Sequence, residues 1–154
     1  MVRSLEGKHS RYFEGILQIR NINDAVVAFV EKDLGEGHIA VSDVRKVKNG
    51  KEYFISDNDY TRAIGKRLQQ KFGGQLIYSS SLHTQVKGKD AYRLTALFRL
   101  PGFSKGDTVN YGGDIFRVKA MGKDIVLIGI GKNTKKLHLK YRDMRQIKKV
   151  EFIY

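Results

Sequence analysis

The sequence contains no cysteine, no tryptophan and a single proline. Without Cys there is no disulfide framework, no thiolate zinc site and no thiol nucleophile. The four histidines, His9, His38, His83 and His138, are scattered and lack the spacing of metal ligands. Long apolar runs are also missing: none approaches the roughly 18 residues that span a bilayer, so no membrane segment is expected. The opening Met1-Val2-Arg3-Ser4-Leu5-Glu6-Gly7 has no apolar h-region and does not read as a signal peptide. Acidic residues are scarce. Against 29 Lys plus Arg stand 16 Asp plus Glu, a formal charge of +13. A thermophile-like surface laced with ion pairs would sit closer to balance. With 41% hydrophobic residues the chain can build a core. The composition therefore points to a soluble, folded, basic protein of a reducing compartment, with nucleic acid as the expected partner.

A length of 154 residues allows one ordinary domain or two small ones. Charge and pattern both change near the single proline. Residues 1–100 hold 17 basic and 11 acidic side chains, whereas residues 101–154 hold 12 and 5. Pro101-Gly102 punctuates the chain at that point. The expected organisation is an α+β domain over residues 1–101 and an all-β domain over residues 102–154.

In the first segment, Phe13, Leu17 and Ile19 suit one face of a strand that runs to Arg20. Asn23 reads as an N-cap, with Val26, Val27, Val30 and Leu34 at helical spacing and Gly35 closing the helix. A strand from Ile39 to Val47, a type I′ turn at Asn49-Gly50 and a strand at Tyr53-Phe54-Ile55 follow. Asp57, Asn58 or Asp59 can cap a second helix with the stripe Tyr60, Ile64, Leu68 and Phe72, ended by Gly73-Gly74. Arg62, Lys66, Arg67 and Lys71 lie largely off that stripe. Leu76-Ile77-Tyr78 and Tyr92 to Leu100 read as two further strands. The order β-α-β-β-α-β-β predicts a sandwich close to a ferredoxin-like layout with an added strand.

After Pro101 come short strands broken by glycines: Thr108 to Tyr111, Phe116 to Ala120, Ile125 to Ile130, Leu137 to Tyr141, and Val150 to Ile153. Five short strands in so few residues predict a small SH3-like β-barrel.

Enzymatic motifs fail on inspection. Gly129-Ile130-Gly131-Lys132-Asn133-Thr134 lacks the Gly-Lys-Ser/Thr end and the helix of a phosphate loop, so a hairpin loop is expected. Ser79-Ser80-Ser81-Leu82-His83 has no nucleophile elbow around it. Glu52, Asp57 and Asp59 are better explained as helix caps and first-turn charges than as a catalytic pair. The basic residues form the stronger pattern. Lys132, Lys135, Lys136, Lys140, Arg142, Arg145, Lys148 and Lys149 face a single acid, Asp143, between residues 132 and 149. Arg117 and Lys119 alternate with Phe116 and Val118, and Arg62, Lys66 and Arg67 add a helical cluster. These are the candidate RNA-binding residues, offering cations to phosphates from one side of a barrel. Tyr111 and Tyr141 have the chemistry to stack on unpaired bases, but an aromatic in a small barrel is more often core. No catalytic and no metal-ligating residues are assigned.

Three stretches carry a family resemblance. They are Arg11-Tyr12-Phe13-Glu14-Gly15-Ile16-Leu17-Gln18-Ile19-Arg20, then Val47-Lys48-Asn49-Gly50-Lys51-Glu52-Tyr53-Phe54-Ile55-Ser56, and then Ser79 to Thr84 with Tyr92-Arg93-Leu94-Thr95 running into Leu100-Pro101-Gly102-Phe103. Their order and spacing resemble the family of the large ribosomal-subunit export adaptor, nonsense-mediated-decay protein three, in an archaeal form. The resemblance implies ribosome biogenesis by a non-catalytic protein that binds the large ribosomal subunit and ribosomal RNA. It also implies nearness to the first large-subunit stalk protein and the anti-association factor six. The family carries an N-terminal zinc module with paired Cys-x-x-Cys motifs. This chain has none, so it reads as a fragment lacking that module, with zinc expected only in the full-length member. Residues 103–154 resemble the SH3-like half of translation factor five-A, although Lys123 is not a secure counterpart of its modified lysine. A cytoplasmic location is implied, with nucleus and cytoplasm in eukaryotic relatives.

Two other functions stay open. One is a protein–protein adaptor whose charge serves only solubility. The other is an RNA-processing enzyme with its site between the domains.

Overall fold

A computed structural model describes residues 12–86 and 88–151. His9, the opening residues and the expected closing-strand residues Phe152 and Ile153 lie outside the described residues. Contacts divide the chain into two compact units. Unit one runs to Leu68 and takes in Leu76–Arg99; unit two comprises Gln69–Gln75 and the residues from Leu100.

Up to Arg99 the order is β1 (Gly15–Arg20), α1 (Asp24–Glu36), β2 (Val41–Val47), β3 (Gly50–Ile55), α2 (Asn58–Phe72), β4 (Gln75–Val86) and β5 (Lys89–Arg99). The sheet order is β2-β3-β1-β5-β4. β1 is antiparallel to β3 and parallel to β5. The strand after α2 is therefore outermost, and the next one takes the inner place. This departs from the expected ferredoxin-like layout, which sets the strand after the second helix beside the first strand. The residues explain the exchange. β5 supplies the buried Leu94, Ala96 and Phe98 that an inner strand needs. β4 carries exposed Ser79, Ser80 and Ser81, which suit an edge.

α1 begins as its sequence dictates: Asn23 Oδ1 accepts from the Val26 amide at 3.0 Å. Its end differs from expectation. Gly35 lies inside the helix, and His38 takes the left-handed position with φ 51°. The His38 amide donates to the Gly35 carbonyl and the Ile39 amide to the Leu34 carbonyl, at 3.2 and 3.1 Å. This is a Schellman ending with His where Gly is usual. The two-residue turn after β2 is Lys48-Asn49, with Asn49 at φ 58°, so the expected Asn49-Gly50 type I′ turn is not formed. Gly50 opens β3, and a Cβ there would run into the Ile19 carbonyl of β1. That position needs glycine for a close approach rather than for a positive φ. α2 is capped by Asp57, whose Oδ1 accepts from the Asp59 and Tyr60 amides at 2.8 and 3.2 Å. Val26, Val30, Leu34, Ile64 and Leu68 are the buried helical positions.

In unit two β6 (Thr108–Tyr111), β7 (Asp114–Met121), β8 (Ile125–Gly129) and β9 (Lys136–Leu139) form an antiparallel meander. A 3₁₀ helix (Tyr141–Gln146) then leads to β10 (Lys148–Lys149), which pairs with β6. The order is β10-β6-β7-β8-β9. β9 and β10 stay at opposite ends, so among the described residues the sheet is open and the expected closed barrel is not found. The 3₁₀ helix stands where the sequence reading continues the strand to Tyr141. Its Tyr141 and Met144 are buried, together with Ile147 just beyond it. A spacing of three is the 3₁₀ repeat, so all three reach the core formed by Phe103, Val109, Phe116, Val118, Ile125 and Leu127.

Candidate RNA-binding surface

Strand alternation places the first pair of candidate residues. On β7, Phe116 and Val118 are buried and Arg117 and Lys119 are exposed between them. Lys132 is exposed in the loop after β8, and Lys136 is exposed at the start of β9. Arg142 and Arg145 are exposed on the 3₁₀ helix, away from its buried Tyr141 and Met144. Lys148 is exposed on β10 beside Asn110 of β6. None of these seven cations forms an ion pair among the described residues. The remaining three of the tail are engaged. Lys135 Nζ lies 2.8 Å from Asp114, Lys140 Nζ 3.0 Å from Asp124, and Lys149 Nζ 3.8 Å from Asp107. Their acids come from earlier in unit two, which is why the run of residues 132–149 alone does not reveal them.

The helical candidates divide in the same way. Lys66 is exposed on α2. The Arg62 guanidinium lies 4.9 Å over the Tyr78 ring. Arg67 is taken up by Asp33 of α1 through a two-point contact, Nε to Oδ2 at 2.9 Å and Nη2 to Oδ1 at 2.8 Å. Tyr60 donates its hydroxyl to the same carboxylate. Burial alone would raise the Asp33 carboxyl, but the hydrogen bonds from Arg67 and Tyr60 outweigh it and hold the group below its ordinary range. Burial, reinforced by the bond to Asp33, pushes the Tyr60 hydroxyl up.

The other chemical candidates resolve into structure. Glu52 pairs with Arg20, and Asp57 is the α2 cap. Ser79, Ser80 and Ser81 are edge-strand positions on β4, the strand that also carries His83. The Gly129-Ile130-Gly131-Lys132-Asn133-Thr134 stretch leaves β8 and leads into β9, as a hairpin loop does. It is stitched by Asn133 Nδ2 to the Ile115 carbonyl at 2.9 Å and by the Gly129 amide to the Lys135 carbonyl at 2.8 Å. Tyr141 is a core residue: its hydroxyl donates to the Gly122 carbonyl at 2.6 Å, and burial pushes that hydroxyl up to about 12. Tyr111 packs against the same core. Among the described residues no three His, Asp or Glu side chains gather into a group that could hold a metal ion. No described helix is long and apolar enough to cross a membrane.

One participant escaped the sequence reading. Lys105, which follows the proline, joins Arg117 and Lys119 around a cavity of about 450 Å³ in unit two. It stands alone in a glycine-rich stretch, so no local pattern marks it. The 3₁₀ helix was legible in principle from the three-residue spacing of Tyr141, Met144 and Ile147.

No curated protein matches the chain as a relative. A family model described as the second domain of NMD3 matches residues 12–100, from just before β1 to just after β5. That match covers more than half of the sequence and takes in the three stretches that carry the resemblance, apart from Arg11 and Pro101-Gly102-Phe103. The chain belongs to the NMD3 family.

Proposed function

We propose that the protein binds the large ribosomal subunit without catalysis and that unit two makes its principal contacts with ribosomal RNA. The observation that carries this reading is the set of cations on unit two that form no ion pair among the described residues: Arg117, Lys119, Lys132, Lys136, Arg142, Arg145 and Lys148. Folded RNA offers phosphates and 2′-hydroxyls more readily than base edges, and exposed Lys and Arg answer that chemistry. Family membership supports the large subunit as the RNA source and late assembly or quality control as the occasion. The first large-subunit stalk protein and the anti-association factor six are the proposed protein neighbours, and the cytoplasm the proposed location.

Two finer fold readings belong to the same proposal. The β2-β3-β1 order with two helices supports a ferredoxin-like ancestry for unit one, altered by the β4–β5 exchange. In unit two, a last strand beside the first, with a 3₁₀ helix before it, supports an opened SH3-like arrangement. An adaptor acting through an apolar sheet face finds less support in unit one. Its exposed large hydrophobics are divided: Val44 and Val47 lie on β2, while Ile77 and Leu82 of β4 and Tyr92 of β5 lie toward the opposite edge.

The test is co-sedimentation with purified large subunits across a salt series. Log affinity should fall steeply and linearly with log salt as counterions are released. Affinity that stays flat from low to moderate salt overturns the phosphate mechanism.

A further inference from the structure

Phosphate contact leaves one feature of unit two without a use, the apolar lining of its cavity. Ile128 and Ile130 supply the apolar side chains of that lining, and Lys105, Arg117 and Lys119 stand around it. Among the described residues no acidic side chain lines it. On the sheet, Arg117 of β7 sits directly opposite Ile128 of β8. A cation and an aliphatic side chain in cross-strand register lie within about 5 Å of each other at Cβ.

We propose that this groove takes an unpaired nucleotide of the bound RNA, with its base on Ile128 and Ile130 and its flanking phosphates on Lys105, Arg117 and Lys119. The inference rests on the RNA-binding reading above and narrows it to single-stranded segments. A duplex keeps its bases stacked inside and presents a charged, hydroxylated exterior, so an aliphatic surface gains nothing from it. An unstacked base has an exposed face to bury. An acidic peptide matches the charge but not the backbone chemistry. β7 and β8 are both flanked on each side by hydrogen-bonded strands, so neither offers a free edge for a peptide to join. A peptide lying there would gain no main-chain hydrogen bonds from the sheet.

The experiment titrates the whole chain with a fluorescent oligouridylate and with an RNA duplex of the same length, at one salt concentration. The oligouridylate should bind at least about threefold more tightly. Ile128→Ser, which adds no charge, should weaken the single strand by about tenfold and the duplex by less than about twofold. Ile128→Tyr should tighten the single strand alone by offering a ring for stacking. If Ile128→Ser loses the native circular dichroism, Ile128→Tyr and Lys105→Ala decide the matter, the latter weakening the single strand more than the duplex. Equal binding of both probes, with every variant moving them together, overturns the groove while leaving the RNA reading intact. A Glu-rich peptide that displaces the oligouridylate and binds more tightly than it also overturns the groove. Absent binding of both probes overturns the RNA reading itself.

Discussion

In unit one the positive side chains with the best-formed contacts are spent on the fold. Arg67 is held by Asp33, Arg20 by Glu52, and Lys51 by Glu31 at 3.2 Å. Arg45 bonds Asp43 at 3.0 Å and lies 4.6 Å over the Phe54 ring, and Arg93 lies 3.8 Å over Phe13. In unit two the cations of β7, the 3₁₀ helix and Lys148 extend into solvent, and the pairs that do form use Lys135, Lys140 and Lys149. The two units therefore differ less in how many cations they carry than in how many are left for a partner. Net charge located a basic last third of the chain; pairing locates the side chains available within it.

Several substitutions would break or sharpen that contrast. The largest effect is expected from Arg117, Lys119, Lys136, Arg142 and Arg145 together changed to Glu. Affinity for large subunits should drop more than about hundredfold in sedimentation assays. Reversing Lys32, Arg45, Lys46 and Lys48 of unit one in the same assay should cost less than about tenfold. Similar losses from both sets would erase the contrast.

Within unit one, Asp33→Asn removes the anchor of Arg67 and Tyr60. A loss of about 1–3 kcal/mol in urea-unfolding stability is expected, with RNA binding kept. Acid should act through the same site. The Asp33 carboxyl is depressed in the folded state. Its contribution is complete above the ordinary carboxylate range and disappears as pH falls through the lower folded value. Urea midpoints measured down that range should fall less steeply for Asp33→Asn than for the parent chain; identical slopes would place the acid sensitivity elsewhere.

Gly129→Ala would push a Cβ into the Asn133 carbonyl and should cost about 1–3 kcal/mol by thermal melting. Gly131→Ala, whose Cβ meets nothing but whose φ is 67°, should cost about 1 kcal/mol. The smallest change contrasts a paired with an unpaired cation. Lys140→Ala should weaken RNA binding less than Arg142→Ala does, since Asp124 already neutralises part of the Lys140 charge. Breaking that exposed pair should cost under about 1 kcal/mol in stability.

Local chemistry in the sequence forecast much of this. Asn23 and Asp57 cap their helices because short polar side chains reach the second and third amides, whatever the rest of the chain does. The stripes of Val26, Val30 and Leu34, and of Ile64 and Leu68, announced their buried faces by spacing alone. What the sequence withheld depends on distant partners. Ser79 to Ser81 suit an edge and Leu94 to Phe98 an inner strand, but only the pairing of the sheet shows that β5 displaces β4 from the place beside β1. Gly50 looks like a turn residue until Ile19 of a neighbouring strand is seen against it. Among the candidate cations, Lys135, Lys140 and Lys149 are indistinguishable in sequence from Lys136, Arg142 and Lys148. Their acids, Asp114, Asp124 and Asp107, arrive through the meander. The position of Lys105 beside Arg117 and Lys119 is likewise a matter of folding rather than of motif.

The exchange of β4 and β5 also bears on synthesis. β1 pairs along its whole length with Leu94 to Arg99, at the far end of the same unit. A nascent chain emerging from the ribosome can form α1, the β2–β3 hairpin and α2 before that strand exists, but β1 has only β3 as a neighbour until Arg99 is free. Pairings of such sequence separation form late because loop closure precedes their reward. Unit two, apart from β10, is a succession of hairpins between adjacent strands and has no such wait. The part of the chain made last can thus assemble quickly, while the sheet of the part made first is completed only near its own end.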